Sequence, residues 1–133
     1  MDAAQALADL TEISSQIEAA VLFDEGGGIV GSTLGDAAAA GALARAGTEL
    51  LAGADAVRPG AGAVTQLEAS TADGSVFVVR QGAQRIAATT VAQPTVGLVF
   101  YDLKSCLRGA AAEAPKPKRT RAPKKKETTD DAA

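Results

Sequence analysis

The sequence predicts an α+β domain in the order helix, two strands, helix, three strands, helix, followed by a tail of different character. Three observations support this: a glycine-rich hairpin signature at residues 19–33, helix-periodic stretches on both sides of it, and three short β-rich runs between residues 63 and 91. In the hairpin, Ala20, Val21, Leu22 and Phe23 form one apolar run and Ile29 and Val30 the next. Asp24, Glu25, Gly26, Gly27 and Gly28 supply the reversal between them. Helices on either side would make this buried hairpin the centre of the sheet.

Ahead of it, Leu7, Leu10, Ile13 and Ile17 recur at helical spacing between Asp2 and Glu18, with the acidic residues mostly off that stripe. After it, Asp36 is a suitable N-cap for the alanine-rich run AAAAGALARAGTELLAGA. The apolar face of this second helix runs through Leu43, Ala46 or Gly47, Leu50, Leu51 and Ala54, and the helix ends at Gly53 or the Arg58-Pro59-Gly60 turn. Gly41 and Gly47 each cost a helix roughly 1 kcal/mol relative to alanine. Either the alanine-rich context tolerates them or they allow close contact with another helix, such as the same helix of a second copy.

Val64 to Ala69, Ser75 to Arg80 and Arg85 to Val91 then read as an antiparallel meander, with turns at residues 71–74 and 81–84. Pro94 breaks the strand pattern and Thr95 is placed to cap a third helix. Val96, Val99, Phe100, Leu103 and Leu107 give that helix a stripe to about Ala112, although Val96 to Tyr101 also suits a strand. With the hairpin, the meander makes a five-stranded sheet.

Charge divides the chain. Residues 1–114 carry six basic and thirteen acidic residues, a net of −7, whereas residues 115–133 carry seven basic and three acidic, a net of +4. We therefore expect one domain over residues 1–112 and a disordered basic tail over 113–133, which has no apolar periodicity. Aromatic residues are limited to Phe23, Phe77, Phe100 and Tyr101, so valine, leucine, isoleucine and alanine must fill the core. Small side chains favour close packing over a roomy pocket.

Chemical readings find little support. Histidine, the commonest general base, is missing, and Cys106 is the single cysteine, which excludes an intramolecular disulfide and reads as a structural thiol. Neither a metal site, a haem ligand set, a cofactor site nor catalytic residues are expected. Gly26-Gly27-Gly28 lacks the lysine and hydroxyl of a P-loop and has Asp24 and Glu25 beside it, so it reads as a turn. The start lacks signal-peptide character, and no apolar run approaches the roughly 18 residues of a membrane span, which points to a cytoplasmic protein.

The ordered set AAVLFDEGGGIVGST, VTQLEASTADGSVFVVR and PTVGLVFYDLKSCLR, over roughly residues 4 to 110, resembles the Roadblock/dynein light chain family. Its triple glycine is longer than the family's usual aspartate-glycine turn. The resemblance implies a Roadblock-like αββαβββα fold, a five-stranded antiparallel sheet with the second helix on one face and the first and third on the other. It also implies a homodimer joined through the third strand and the second helices, placing Gly41, Leu43, Gly47, Leu50, Val64 and Leu67 at the interface. Its functional implication is a non-enzymatic adaptor that binds a Ras-like small GTPase and modulates its nucleotide cycle or localisation. The alternative is a dimeric tether in which Lys116, Lys118, Arg119, Arg121, Lys124, Lys125 and Lys126 hold nucleic acid or an anionic membrane through phosphate contacts.

Overall fold

A computed structural model describes residues 2–60 and 62–113. These described residues form three helices and five strands in the expected order: α1 (Ala3–Ile13), β1 (Ile17–Asp24), β2 (Ile29–Ser32), α2 (Ala37–Val57), β3 (Gln66–Ser70), β4 (Ser75–Gln81), β5 (Gln84–Thr90) and α3 (Val96–Glu113). The strands form one antiparallel sheet in the order β2-β1-β5-β4-β3. The meander thus meets the hairpin through β5, with Val21 opposite Ala87 and Leu22 opposite Ile86. The expected tail lies outside the described residues, apart from Glu113 at the last described position of α3.

Side-chain alternation gives β1, β5 and β4 two buried faces. Ala20, Leu22, Phe77, Val79, Ile86 and Ala88 point to one side, where Leu7 and Leu10 of α1 and Val99, Leu103 and Leu107 of α3 cover them. Val21, Phe23, Val78 and Ala87 point to the other, beneath Ala40, Ala44 and Leu51 of α2. Each fully buried large apolar side chain contributes about 1.5–3 kcal/mol. Phe100 of α3 meets Phe77 edge to face, with ring centroids 4.9 Å apart.

Turn chemistry fixes the strand ends. One Asp24 carboxylate oxygen accepts hydrogen bonds from the amides of Gly26 (3.0 Å) and Gly28 (2.8 Å), while Gly27 adopts φ +88°. A side chain on Gly28 would press on that same carboxylate, which gives the third glycine of the run its reason. The β1–β2 register shifts between Leu22 and Phe23. Between β4 and β5, Gly82 takes φ +61° at the first central position of a two-residue turn, the position where type II′ hairpins place glycine.

Several expectations require correction. The hairpin is not the centre of the sheet: β5 is, and β2 is an edge strand whose Ile29 and Val30 are exposed. The first helix stops at Ile13, which is 64% exposed, and Ser14 turns extended while its amide donates to the Leu10 carbonyl. Ile17 belongs to β1, where the strand alternation turns it into the core. Val64 precedes β3 instead of opening it. Val96 to Tyr101 is helical, but Val96 lies off the buried stripe and is exposed.

Gly47 has an intramolecular explanation. It is buried, and a Cβ there would lie 3.1 Å from Cζ of Phe23 and 3.2 Å from Cβ of Ala87. The missing side chain lets α2 settle onto its own sheet, a contact that does not require a second helix. Gly47→Leu should therefore overpack this layer at a cost of about 1–3 kcal/mol and lower the Tm by roughly 5–15 °C, while Gly47→Ala should shift it far less. Thermal unfolding followed by circular dichroism checks this, and equal Tm values for the two variants would overturn it.

Candidate interaction surface on α2 and β3

The residues singled out for an interface collect on the α2 side of the sheet. Asp36 caps α2 as expected, its side chain accepting from the Ala38 amide at 3.0 Å. From that start the helix runs 21 residues and lays Ala40, Ala44, Gly47 and Leu51 onto the strands. Leu43 and Leu50 flank this buried stripe and stay half-buried, as do Val64 and Leu67 at the β3 end of the same cluster. Their apolar surface is shared between the chain's own core and the outside. Gly41 is also half-buried, with nothing within 4 Å of where its side chain would be. Gly47 stands apart from the other five, fully occupied by its own sheet.

Among the described residues β3 pairs only with β4, which leaves its other edge open. An ionic clamp holds the segment leading into it. Asp55, near the end of α2, accepts the Val64 amide at 2.7 Å and Nη2 of Arg80 at 2.8 Å on a single oxygen, and Nε of Arg80 donates to the Val64 carbonyl at 2.8 Å. The Arg80 amide adds a bond to the Thr65 carbonyl at 2.8 Å. A loop between helix and edge strand is thereby fixed from both sides. Sequence reasoning missed this clamp because its members lie 25 and 16 residues apart. The available signal was a lone arginine at the end of the apolar run Val76–Val79 and a lone carboxylate in the apolar last turns of α2.

The electrostatics speak against covalent chemistry at Cys106, the candidate thiol. Burial, aided by the negative charge of Asp9, pushes Cys106 up to about 11, so it stays protonated at neutral pH. Among the described residues no group of three metal-ligating side chains converges, and no helix is long and apolar enough to cross a membrane. The seven cations from Lys116 to Lys126 proposed for polyanion contact lie outside the described residues.

Asp55 carries the pH dependence of the surface. The hydrogen bond from Arg80, then that from the Val64 amide, hold its carboxyl below the usual carboxylate range. Its stabilising effect is therefore present above the unfolded-state value of about 3.9 and is lost as pH falls through the lower folded-state value. Asp55→Ala should lower the Tm at pH 7, with the deficit shrinking between about pH 4 and pH 2. Paired melting curves at the two extremes test this; a deficit equal at both would remove the ion pair as its cause.

No protein-family model matches the sequence, and no curated protein matches it. Solved structures do match. A Roadblock/LC7 domain from Streptomyces avermitilis superposes with a TM-score of 0.74 at 16% identity, over 84% of this chain and 97% of that one. The gliding protein MglB of Thermus thermophilus gives 0.69 at 14% identity, over 83% and 86%. MglB in a tetrameric arrangement gives 0.71 at 14% identity, over 83% and 85%. With the sheet order, the helix on one face and the pair on the other, these likenesses establish that the chain has the Roadblock/LC7 fold.

Proposed function

We propose that this chain is a non-enzymatic, homodimeric platform for a Ras-like small GTPase, acting on the partner's nucleotide cycle or its localisation. The supporting observation is the α2–β3 surface, where a strand edge left unpaired among the described residues adjoins the half-buried apolar residues Leu43, Leu50, Val64 and Leu67. A twofold pairing of β3 edges would extend the sheet across two protomers and cover those residues, with Gly41 allowing the two α2 helices to approach. Gly47 is left out of this interface, since its own sheet occupies it. The GTPase assignment rests on the sequence resemblance to the Roadblock/dynein light chain family and on the likeness to MglB. The lack of an activated nucleophile at Cys106 agrees with a binding role.

Gly41 provides a test that spares the protomer. With nothing within 4 Å, Gly41→Arg should leave the fold intact and gain helix propensity of nearly 1 kcal/mol. Light scattering of the full chain should give twice the chain mass, and the variant should give the monomer mass with an unchanged or raised Tm. Association with small GTPases of the source organism, loaded with GDP or a non-hydrolysable GTP analogue, should weaken at least tenfold in the same variant. A wild-type monomer at all concentrations, or a variant that dimerises normally, would overturn the interface. A stable dimer that binds none of those GTPases in either nucleotide state would overturn the partner assignment alone.

A further inference from the structure

On the opposite face of the sheet, α1 and α3 enclose a cleft of about 300 Å³ that the α2–β3 surface does not use. The two helices run antiparallel, because each joins one of the antiparallel pair β1 and β5 through a short connection. The side chain of Gln16, just after α1, accepts the amide of Thr95, just before α3, at 2.5 Å and ties the two ends together. Ala6, Leu10 and Cys106 supply an apolar floor and Ile13 an apolar lip.

Carboxylates from both helices face this space. Asp9 and Glu12 of α1 and Asp102 of α3 line it, and among the described residues only Asp9 of the three has a hydrogen-bond partner, the side-chain amide of Gln5 at 2.9 Å. Asp102 is 5% exposed and has no hydrogen-bond or ion-pair partner among the described residues. Burial holds its carboxyl above the usual range, as expected of a group that has lost water without gaining a donor. Neither cation of α3 pairs with Asp102 among the described residues: Arg108 donates instead to the Ser105 hydroxyl at 3.1 Å, and Lys104 makes no ion pair with it. A buried acceptor without a donor is destabilising, so a donor reaching Asp102 would recover energy now lost.

An apolar floor ending in carboxylates matches the shape of a lysine or arginine side chain, whose methylene stem packs on apolar surface while its head carries the charge. We propose that this cleft binds such an alkyl cation and that the chain's own residues 114–133 supply it. That segment holds seven cations and follows α3 in the sequence, while the preceding 113 residues carry net −7. About 17 Å of helix separates Asp102 from Glu113, a distance that five or six extended residues cover on turning back. Lys118, Arg119 and Arg121 fall within that reach. Occupation makes the tail and the acidic body one unit at low ionic strength, and salt separates them.

The test uses the full chain. In amide NMR spectra, replacing Lys118, Arg119 and Arg121 together by glutamine should move the resonances of Asp9, Glu12, Asp102, Ser105 and Cys106 and leave those of β3 in place. Raising the salt concentration should move the same set. Removing the cover should also speed the reaction of Cys106 with an aromatic disulfide reagent about two- to fivefold, the effect of losing one or two partly exposed ion pairs. Asp102→Asn should reproduce these changes in the full chain, and combining it with the tail substitutions should add little. Unchanged cleft resonances and an unchanged thiol rate in the tail variant would overturn the proposal. So would changes centred on Glu18 and Asp73 instead of the cleft, or changes that depend on protein concentration, which would assign the cation to a second copy.

Discussion

The closeness of α2 to the sheet depends on one missing side chain. At Gly47 the helix backbone comes down onto the ring of Phe23 and the methyl of Ala87, and those residues belong to β1 and β5, the strands through which the two halves of the chain pair. Helix-to-sheet spacing there sets how deeply Ala40, Ala44 and Leu51 pack and how far Leu43 and Leu50 remain outside. The scarcity of aromatic residues has its structural expression here. Alanines at the centre of β5 permit a helical layer on each face at short range, and Phe77 and Phe23 are buried one on each side of the sheet.

Much of this architecture was readable from periodicity and punctuation. The Asp36 cap, the glycine turns and the meander between residues 66 and 90 appear where the sequence places them, because each is a local signal expressed locally. The failures share one cause. Ile13 and Ile17 fit one helical stripe by spacing alone, yet the run after Ile17 is apolar enough for a strand buried on both faces, and tertiary packing assigned Ile17 to it. Sheet order is equally non-local: no feature of the hairpin says which of its edges β5 will join. The family resemblance supplied the layering of helices that periodicity could not.

The candidate surface was legible in its apolar members but not in its polar ones. Leu43 and Leu50 follow from spacing on one helix and Leu67 from its place on one strand, while Val64 was expected to open that strand and instead precedes it. The clamp of Asp55 and Arg80, by contrast, depends on a three-dimensional coincidence of a helix end, a loop and the second-last strand. Gly41 and Gly47 looked alike in sequence because both break helix propensity. Only the structure separates a glycine that admits the chain's own sheet from one that faces open space.

The pairing of β1 with β5 also dictates the order of events during synthesis. Ile17 sits opposite Thr90, so more than seventy residues must be made before the most buried strand finds its main partner. Until then α1, the hairpin and α2 emerge with Val21, Leu22 and Phe23 lacking the strand that will flank them. The chain is obliged to fold late, as a single cooperative closure of its N-terminal half onto the meander. The two halves are therefore poor units to inherit or exchange separately, whatever surface the finished protein presents.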